Sequence, residues 1–392
     1  MNAYTLLQQR GFIHQNTDTK DLVKLLATEQ VTVYAGFDPT ADSLHLGHLV
    51  PVMALAHLHR MGHRPMFVVG GATGMVGDPS GKSDERNLLS QEAVAKNVKG
   101  IKTQLKRFVD FTLKPTPLVV DNNDWISTMS FVDWLREVGK HFSLNIMLNR
   151  ESVRKRLNSE NGISFTEFSY ATMQAFDFYH LHKSYGCSLQ VGGSDQWGNI
   201  VSGIDLIRKK SGRSAHGLTF PLLQTANGEK FGKSSGNAIW LDPRKTTPWD
   251  LYQYLLRQED DDVIRLLNLL TFLSDDEIRG LEKESKANPG QRKAQKALAR
   301  ELTRLVHGKE NVAEIERAAN ILFRGELKDM TDEILASIFK DVTSIKRSRV
   351  ELKKGIDLTS FLAESGITSS KSQARRLLGS GAVYINNIRV DL

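Results

Sequence analysis

Two histidines, His45 and His48, stand three residues apart at the predicted start of a helix. This spacing places both imidazoles on one face of the first turn. A β-rich run at 31–35 and a turn precede them, so the unpaired backbone N–H groups of the helix N-terminus point into the same corner. Gly47 has no side chain and lets a base or ribose approach the backbone closely. The corner is suited to the phosphates of a nucleotide.

A second charged cluster lies about 180 residues downstream, where the sequence reads KFGKS at 230–234. The surrounding segment is rich in Gly and Ser and has no apolar periodicity, which predicts a mobile loop. Lysines on such a loop can meet the charge that builds on a departing pyrophosphate at the transition state. The two clusters together favour a reaction that releases pyrophosphate from a nucleotide.

A polar stripe is predicted between the two clusters. Tyr170, Gln174 and Asp177 are spaced at i, i+4 and i+7, which places all three on one face of a helix. Four phenylalanines flank them, at positions 165, 168, 176 and 178. A polar stripe in this setting is unusual for a core and predicts a binding face, with a solvated surface as the alternative.

Residue spacing argues against two other kinds of site, a phosphate-binding P-loop and a zinc site. The segments at 77–83 and 228–234 imitate the phosphate loop of P-loop NTPases, but three residues separate the first Gly from Gly-Lys where that loop requires four. Five histidines between 45 and 63 could suggest zinc, yet no Cys or carboxylate stands among them at ligand spacing and HExxH is absent. We therefore expect neither a P-loop nor a metal site.

Length and composition bound the class of protein. The chain has 392 residues, which predicts two or three domains, and it is 40% apolar and 25% charged, as in ordinary globular proteins. No apolar run is long enough for a membrane span, and the N-terminus lacks a signal-peptide core. The single cysteine, Cys187, excludes an internal disulfide and fits a reducing compartment. We expect a cytoplasmic protein without membrane contact.

The positioning elements follow an α/β pattern. Short β-rich runs begin at residues 31, 65, 117 and 188 and alternate with helical segments, which predicts a mainly parallel sheet covered by helices. Ligands of such folds bind at the carboxyl ends of the strands, where Tyr34, Asn123 and Gly192 are expected. Ser43 is the predicted cap of the helix that continues through 49–58.

The pair HLGH and KFGKS resembles the two signatures of class I aminoacyl-tRNA synthetases. The surrounding text is similar to the bacterial-type tyrosyl-tRNA synthetase family, in the expected order and over essentially the whole chain: YAGFDPTADSLHLGH, GGATGMVGDPSGKSDER, the Tyr-Gln-Asp stripe and VGGSDQWGN. Phe231-Gly232 replaces the Met-Ser of the broad class, a variant usual in the tyrosine branch. The resemblance implies that a homodimer activates L-tyrosine with ATP and Mg²⁺, needs no tightly bound cofactor, and charges tRNA(Tyr).

The resemblance also implies a domain order. A Rossmann-like catalytic domain is expected over 1–222, with a helical dimer-interface insertion at about 125–166. The lysine loop and a helical domain for the anticodon arm follow over 223–330, where apolar residues recur at helical spacing and an Asn-Pro-Gly turn stands at 288–290. A linker at 331–348 then leads to a small α+β RNA-binding domain at 349–392.

The resemblance also implies a role for each residue of this chain that matches a functional position of the family. The tyrosine pocket is expected to contain Tyr34, Asp78, Asn123, Tyr170, Gln174, Asp177 and Gln190. Asp78, Tyr170 and Gln174 would hold the ammonium group, while Tyr34 and Asp177 reach the phenol. The ATP pocket is expected to contain Gly36, Asp38, Gly47, Gly193, Asp195, Gln196, Lys233 and Ser234. The catalytic set would be Thr40, His45, His48, Lys82, Arg86, Lys230 and Lys233.

The basic charge is concentrated at the C-terminus. Residues 346–392 carry nine Lys or Arg and four acids, hence +5 of the chain's net +7. A local basic excess indicates a polyanion contact, with a solvated surface as the alternative. Thr368 or Ser369 is the predicted cap of a short helix in which Lys371, Arg375 and either Arg376 or Leu378 share a face. The resemblance implies an RNA-binding domain here, with Lys371, Arg375 and Arg376 as its RNA-binding residues and phosphate as the contact. The chain ends earlier than the family pattern, so this domain is expected to be incomplete.

Two alternatives remain open from the residues. A tryptophanyl relative would share the architecture but should lack both the acidic partner of the phenol and the C-terminal RNA domain. A catalytically idle RNA-binding protein on the same scaffold would be favoured by loss of either histidine or of the paired lysines, and all four residues are present.

Overall fold

The computed structural model describes residues 2–80, 88–158, 162–224, 231–234, 237–324, 332, 335–336, 345–386 and 388–390. The main sheet contains β1 (Gln15–Asn16), β2 (Thr32–Phe37), β3 (Arg64–Val69), β4 (Leu118–Asp121), β5 (Cys187–Gly193) and β6 (His216–Phe220). Four shorter strands follow in two pairs: β7 (Lys233–Ser234), β8 (Asn237–Ala238), β9 (Tyr384–Ile385) and β10 (Ile388–Arg389).

The helices surround and extend this sheet. In the first part of the chain they are α1 (Ala3–Gln9), α2 (Thr19–Thr28), α3 (Leu49–Arg60), α4 (Gln91–Leu105), α5 (Asn123–Ile126), α6 (Phe131–Glu137), α7 (Leu144–Leu148), α8 (Glu151–Leu157), α9 (Phe165–Tyr185) and α10 (Trp197–Ser211). The later ones are α11 (Pro248–Leu256), α12 (Asp260–Leu270), α13 (Asp275–Ala287), α14 (Lys293–His307), α15 (Lys309–Arg324), α16 (Arg349–Lys354), α17 (Leu358–Glu364) and α18 (Lys371–Gly379).

The main sheet has the order β1-β6-β5-β2-β3-β4. All its pairings are parallel except that of β1 with β6, so the predicted α/β fold class is confirmed. The four β-rich runs of the sequence correspond to β2, β3, β4 and β5. The pattern missed β1 and β6, because a two-residue edge strand and the short segment HGLTF carry little periodic signal.

Strand β2 lies in the middle of the sheet and separates two cores. Val33, Ala35 and Phe37 face the larger core, formed with α1, α3 and α4. Tyr34 points to the opposite face and packs among residues that include Phe178 of α9. Since strand side chains alternate, Gly36 and Asp38 follow Tyr34 on this second face. The face under α9 and α10 therefore carries the polar residues.

Entry into α3 differs from the prediction. Ser43 does not cap the helix: its Oγ donates to the carbonyl of Leu44 and accepts from Gln104. His45 takes this role at a short 3₁₀ turn, Leu46–His48, where its imidazole accepts the Gly47 N–H. A cap must stand immediately before the first turn, and the 3₁₀ turn begins two residues later than Ser43 would require.

The helical region from α11 to α15 packs directly onto the sheet-bearing part, and their buried apolar residues form one continuous core. Arg10, which follows α1, donates to the carbonyls of Asn268, Thr271 and Leu273 at the end of α12. Carbonyls at the C-terminal end of a helix lack partners within the helix, and the guanidinium supplies donors to this region. The predicted helices of this region are present in α11, α12 and α14.

The C-terminal part contains α16, α17, α18 and a β9–β10 hairpin, and α17 and α18 share a small core of Leu362, Ala374 and Leu378. Ser370, rather than the predicted Thr368 or Ser369, caps α18 by accepting from the Gln373 N–H. Thr368 is instead buried, at 3% exposure. In this run of three hydroxyls, Thr368 is buried and Ser369 Oγ donates to Gln373 Oε1, while Ser370 accepts the helix N–H.

The segment between α5 and α9 forms short helices with an exposed apolar face. Phe131, Val132, Leu144, Ile146 and Phe165 are between 62% and 69% exposed. Phe131, Leu144 and Phe165 line a cavity of about 480 Å³ whose other lining side chains are mainly apolar. Among the described helices, none combines the length and apolarity that crossing a membrane requires.

Candidate active site

A trough runs over the middle of the sheet at the α9 face. Tyr34 and Gln190 are paired across β2 and β5, so their side chains lie side by side. Gly36 follows two residues along β2 and is exposed, with no atom within 4 Å of the place a Cβ would occupy. An open glycine in a central strand creates a cleft whose floor is the strand itself. Tyr34 and Gln190 stand at the closed end of this cleft.

The closed end contains unpaired polar atoms. Tyr34 and Gln190 are 1% and 2% exposed, and within the described residues neither the Tyr34 hydroxyl nor Gln190 Oε1 has a hydrogen-bond partner. The Tyr34 ring packs edge-on against Phe178, with the ring centroids 5.3 Å apart. Buried polar groups are normally paired, so these two atoms indicate a polar ligand group that completes the site.

Asp177 of α9 faces the same end and is 4% exposed. Its two oxygens accept from Asn122 Nδ2 at 3.0 Å and Trp125 Nε1 at 2.8 Å. Burial raises the pKa of the Asp177 carboxyl to about 7, although both hydrogen bonds oppose the shift. Burial and the nearby Asp177 also raise the pKa of Tyr34. Tyr34 is therefore a neutral phenol beside a carboxyl that ionises near neutral pH.

Sequence reasoning misassigned one residue here. Asn123 is exposed, and its backbone N–H bonds to Asp121, so it does not line the closed end. Its neighbour Asn122 is 1% exposed and contacts Asp177 instead. Trp125 was missed as well. Asn122 and Asn123 directly follow β4, and a strand end alone does not say which of two adjacent side-chain amides turns inward.

A hydrogen-bond chain connects the floor to the wall. Asn122 Nδ2 also donates to Thr73 Oγ1, and Thr73 Oγ1 donates to Asp38 Oδ1 at 2.8 Å. Tyr170 Oη donates to Asp38 Oδ2 at 2.8 Å. Burial, then Asp38 and Asp78, raise the pKa of Tyr170. Its hydroxyl thus lies in a field of carboxylates, which favours a cationic ligand group nearby.

A second network joins the remaining predicted tyrosine-pocket residues. Asp78 is 8% exposed and accepts from Gln196 Nε2 at 2.7 Å. Asn199 Nδ2 lies 3.0 Å from Gln174 Oε1 and 3.3 Å from Ser80 Oγ. Asn199 received no predicted role, although it stands one turn after Gln196 on α10. The α9 stripe and the start of α10 therefore form one polar wall.

The two histidines lie together at the other end of the trough, with ring centroids 3.9 Å apart and ring planes tilted by 32°. His45 Nδ1 accepts the Gly47 N–H, and His48 Nδ1 accepts the His45 N–H, each at 3.1 Å. Burial, and His45 beside it, hold the pKa of His48 well below its usual range. Since Nδ1 accepts a backbone N–H in both rings, Nε2 is the ring nitrogen that can donate. The pair offers N–H donors suited to phosphate oxygens.

The KFGKS segment contacts HLGH directly. A Cβ on Gly232 would lie 2.9 Å from Leu46 Cβ and 3.4 Å from the Gly47 nitrogen. Leu46 N–H donates to the Ile239 carbonyl, and His45 forms a β-bridge with Trp240. The Trp240 ring meets His45 edge-on at 6.0 Å. The fold thus brings together two clusters about 180 residues apart in sequence, and Trp240 is a neighbour that the sequence did not indicate.

Other predicted residues divide into three groups. Thr40 and Asp195 are exposed, and Gly193 lies against the Asp195 side chain. Lys82, Arg86 and Lys230 lie outside the described residues, while the backbone of Lys233 and Ser234 pairs with β8. Lys371, Arg375 and Arg376 are all exposed on α18, in the C-terminal part of the chain. The described residues contain no group of three His, Cys, Asp or Glu arranged to hold a metal.

Comparisons with known proteins agree with this geometry. The profile of the family described as tRNA synthetases class I (W and Y) matches residues 26–324. A second profile, the C-terminal domain of tyrosine–tRNA ligase SYY-like proteins, matches residues 334–391.

Individual relatives cover nearly the whole chain. A tyrosine–tRNA ligase of Opitutus terrae is 52% identical over 98% of this chain and 91% of its own length. One of Geobacillus stearothermophilus is 48% identical over 100% of this chain and 92% of its own length. Among solved structures, a C-terminally truncated mitochondrial tyrosyl-tRNA synthetase of Aspergillus nidulans has a TM-score of 0.75 at 34% identity, covering 82% of this chain and 94% of that one.

Proposed function

The chain belongs to the tyrosine–tRNA ligases, within the class I tRNA synthetase family, and from that premise we propose how its cleft works. It activates L-tyrosine with ATP and then transfers the tyrosyl group to tRNA(Tyr). The observation that carries this proposal is the closed end of the cleft, where Tyr34, Gln190 and Asp177 present polar atoms that a phenol hydroxyl would complete.

The phenol fits this end by hydrogen-bond type. The ionised Asp177 carboxylate can only accept, and Tyr34 can donate or accept. A substrate hydroxyl that donates to Asp177 and accepts from Tyr34 satisfies both. Phenylalanine would leave these groups unpaired, which costs more than a missing contact. The carboxylates of Asp38 and Asp78 beside Tyr170 would hold the substrate ammonium, with Gln174 positioned by Asn199.

The first chemical step needs no covalent nucleophile from the protein. A carboxylate oxygen of tyrosine attacks the α-phosphorus of ATP, the bond from that phosphorus to the β-bridging oxygen breaks, and pyrophosphate leaves with the electron pair. Mg²⁺ enters as the counter-ion of the ATP substrate and neutralises phosphate charge. The protein contributes by holding the reactants in line and by stabilising the developing charge.

Charge stabilisation falls to the phosphate end of the cleft. His45 and His48 would offer Nε2–H donors to ATP, and the open backbone at Gly36 would leave room for the nucleotide. At Gly47 the place of a Cβ lies 2.9 Å from His45 Cε1, so the missing side chain there accommodates the His45 ring. Thr40, Gly193, Asp195 and Gln196 would line the ATP pocket with Asp38. Lys82, Arg86, Lys230, Lys233 and Ser234 would surround the pyrophosphate. In the second step a hydroxyl of the terminal adenosine of tRNA attacks the tyrosyl carbonyl, and AMP departs.

The exposed apolar face between α5 and α9 is the proposed contact with a second copy of the chain. Phe131, Leu144 and Phe165 are each more exposed than is usual for large apolar side chains in a monomer, and they are contiguous. Pairing with an identical face would bury them symmetrically. Sedimentation of wild type and Phe131→Asp should give a dimer and a monomer, respectively.

The C-terminal part is the proposed RNA contact. Lys371, Arg375 and Arg376 project from α18 into solvent, while Ala374 and Leu378 hold the helix to its core. Such charges bind phosphates without reading bases. The proposed location of the protein is the cytoplasm, where tRNA is available for charging.

Two assays test the activity. Tyrosine-dependent exchange between ATP and labelled pyrophosphate should be rapid. Tyrosine should also be transferred to tRNA(Tyr), and the affinity of the protein for tRNA should fall as the salt concentration rises. Activation of tryptophan in preference to tyrosine would refute the assignment. Absence of exchange with any amino acid, in a protein that still binds tRNA, would favour the idle RNA-binding scaffold.

A further inference from the structure

The backbone at Gly232 packs closely against the HLGH segment. Gly232 has φ of +83°, and a Cβ there would approach Leu46 Cβ to 2.9 Å. Glycine is required on both counts, because an L side chain would be strained at this φ and would collide with the HLGH segment. The backbone that leads into Lys233 therefore has little freedom to choose another path.

Three hydrogen bonds hold this stretch of backbone. Phe231 N–H donates to the Leu223 carbonyl at 3.0 Å, and the Gly232 carbonyl accepts from Ile239 N–H at 2.7 Å. The third bond runs from Gly232 N–H to Tyr254 Oη at 2.9 Å. Two of these bonds join backbone groups of the same segment. Tyr254 is the side chain among the three, and it can be altered without changing the segment itself.

Tyr254 belongs to a different part of the molecule. It lies on α11 in the helical region, is partly buried, and packs its ring 5.7 Å from that of Phe231. Burial raises the pKa of its hydroxyl, so the group is a neutral phenol whose oxygen can accept. The ring contact and the hydrogen bond act on adjacent residues, Phe231 and Gly232, and both fix the same point.

We propose that Tyr254 is a positioning residue for adenylate formation: its hydroxyl anchors the backbone at Gly232 and thereby sets the approach of Lys233 to the phosphate end of the cleft. The inference deepens the proposed function and rests on it for the role of Lys233. It also makes the helical region a direct contributor to the geometry of the activation step, since the anchor is carried by α11.

The test compares two single-atom deletions on α11. Tyr254→Phe removes the anchoring hydroxyl and keeps the ring on Phe231. Tyr252→Phe removes a hydroxyl from a buried tyrosine two residues earlier that makes no described contact with the lysine segment. Single-turnover adenylate formation should slow by about threefold to tenfold in Tyr254→Phe, the range for one lost hydrogen bond, with tyrosine affinity unchanged. Pyrophosphate should bind more weakly in the reverse reaction. Tyr252→Phe should match wild type in both.

Amide hydrogen exchange provides a readout that is independent of activity. The Gly232 amide should exchange faster in Tyr254→Phe than in wild type or Tyr252→Phe, while the Leu46 amide stays protected. Unchanged exchange at Gly232, or an unchanged rate of adenylate formation, would overturn the inference. A wild type without tyrosine-dependent exchange would refute the proposed function instead, and the Gly232 amide would still report whether the anchor exists.

Discussion

The two ends of the cleft are built differently. The closed end is carried by regular elements: Tyr34 and Gln190 by paired strands, and Asp177 by the long helix α9. The phosphate end is an assembly of turns, in which a 3₁₀ turn at 46–48 meets the glycine of a distant segment. Side chains on strands and helices hold their positions better than those on loops. The closed end is therefore suited to ground-state recognition, and the phosphate end to interactions made in the transition state.

The largest effect should come from the closed end. Asp177→Ala removes the acceptor for the phenol and leaves the donors of Asn122 and Trp125 unpaired. Three hydrogen bonds are lost or left unsatisfied, at about 1–3 kcal/mol each, so kcat/KM for tyrosine should fall by roughly 10² or more. Steady-state exchange measures this, with Asp205→Ala on the exposed side of α10 as the control. A loss of less than tenfold, in a folded variant, would mean that Asp177 does not contact substrate.

Lysine substitutions probe the opposite end. Lys233→Ala and Lys230→Ala should each slow adenylate formation by roughly 10²–10³, the effect of removing one donor used only in the transition state, while tyrosine affinity stays nearly constant. Lys286→Ala, an exposed lysine on α13, is the control. Weakened tyrosine binding at a normal rate would place these lysines in ground-state recognition and erase the difference between the two ends.

The pH dependence of tyrosine binding tests the closed end of the cleft without a mutation. If tyrosine binds the ionised Asp177 carboxylate, whose pKa is about 7 in the free protein, its Kd should rise about tenfold per pH unit below pH 7. Phenylalanine donates no hydrogen bond there and should show no such rise. Titration calorimetry between pH 5.5 and 8.5 tests this, and parallel pH profiles for both amino acids would contradict it.

The same carboxyl affects stability with the opposite sign from most acids. Its pKa is raised from 3.8 to about 7 on folding, so the folded protein holds a proton that the unfolded chain has lost in that window. Hence Asp177 lowers the free energy of unfolding as pH rises from about 4 to 7. Bound tyrosine should offset this loss, because its hydroxyl stabilises the ionised form.

The smallest effect is expected from Tyr34→Phe, which deletes one hydroxyl and keeps the ring against Phe178. The ratio of kcat/KM for tyrosine over phenylalanine should fall by about 2–10-fold, as for one neutral hydrogen bond. Tyr4→Phe, a buried tyrosine near the N-terminus, is the control. If the ratio were unchanged, the hydroxyl of Tyr34 would not meet the phenol.

Sequence reasoning reached most of the fold and the polar stripe of α9, because both rest on periodicity. The α9 stripe follows from helical spacing, and β2 to β5 from β-rich runs. What it could not supply is which of two neighbours turns inward, as with Asn122 and Asn123, or which of several hydroxyls caps a helix, as with Ser370. Those choices depend on tertiary packing. The contact of Trp240 with His45 likewise depends on chain path, which no local pattern encodes.

The central claim is that the closed end of the cleft binds tyrosine and the phosphate end stabilises the transition state. Single-turnover adenylate formation over a range of tyrosine concentrations is its sharpest test, because this measurement separates the Kd for tyrosine from the chemical rate. Lys233→Ala should keep the wild-type Kd and lose rate by roughly 10²–10³, whereas Tyr34→Phe should weaken Kd by about 2–10-fold and largely keep the rate. If Lys233→Ala changed the Kd for tyrosine and Tyr34→Phe changed the chemical rate, the two ends would have the opposite roles, which contradicts this assignment.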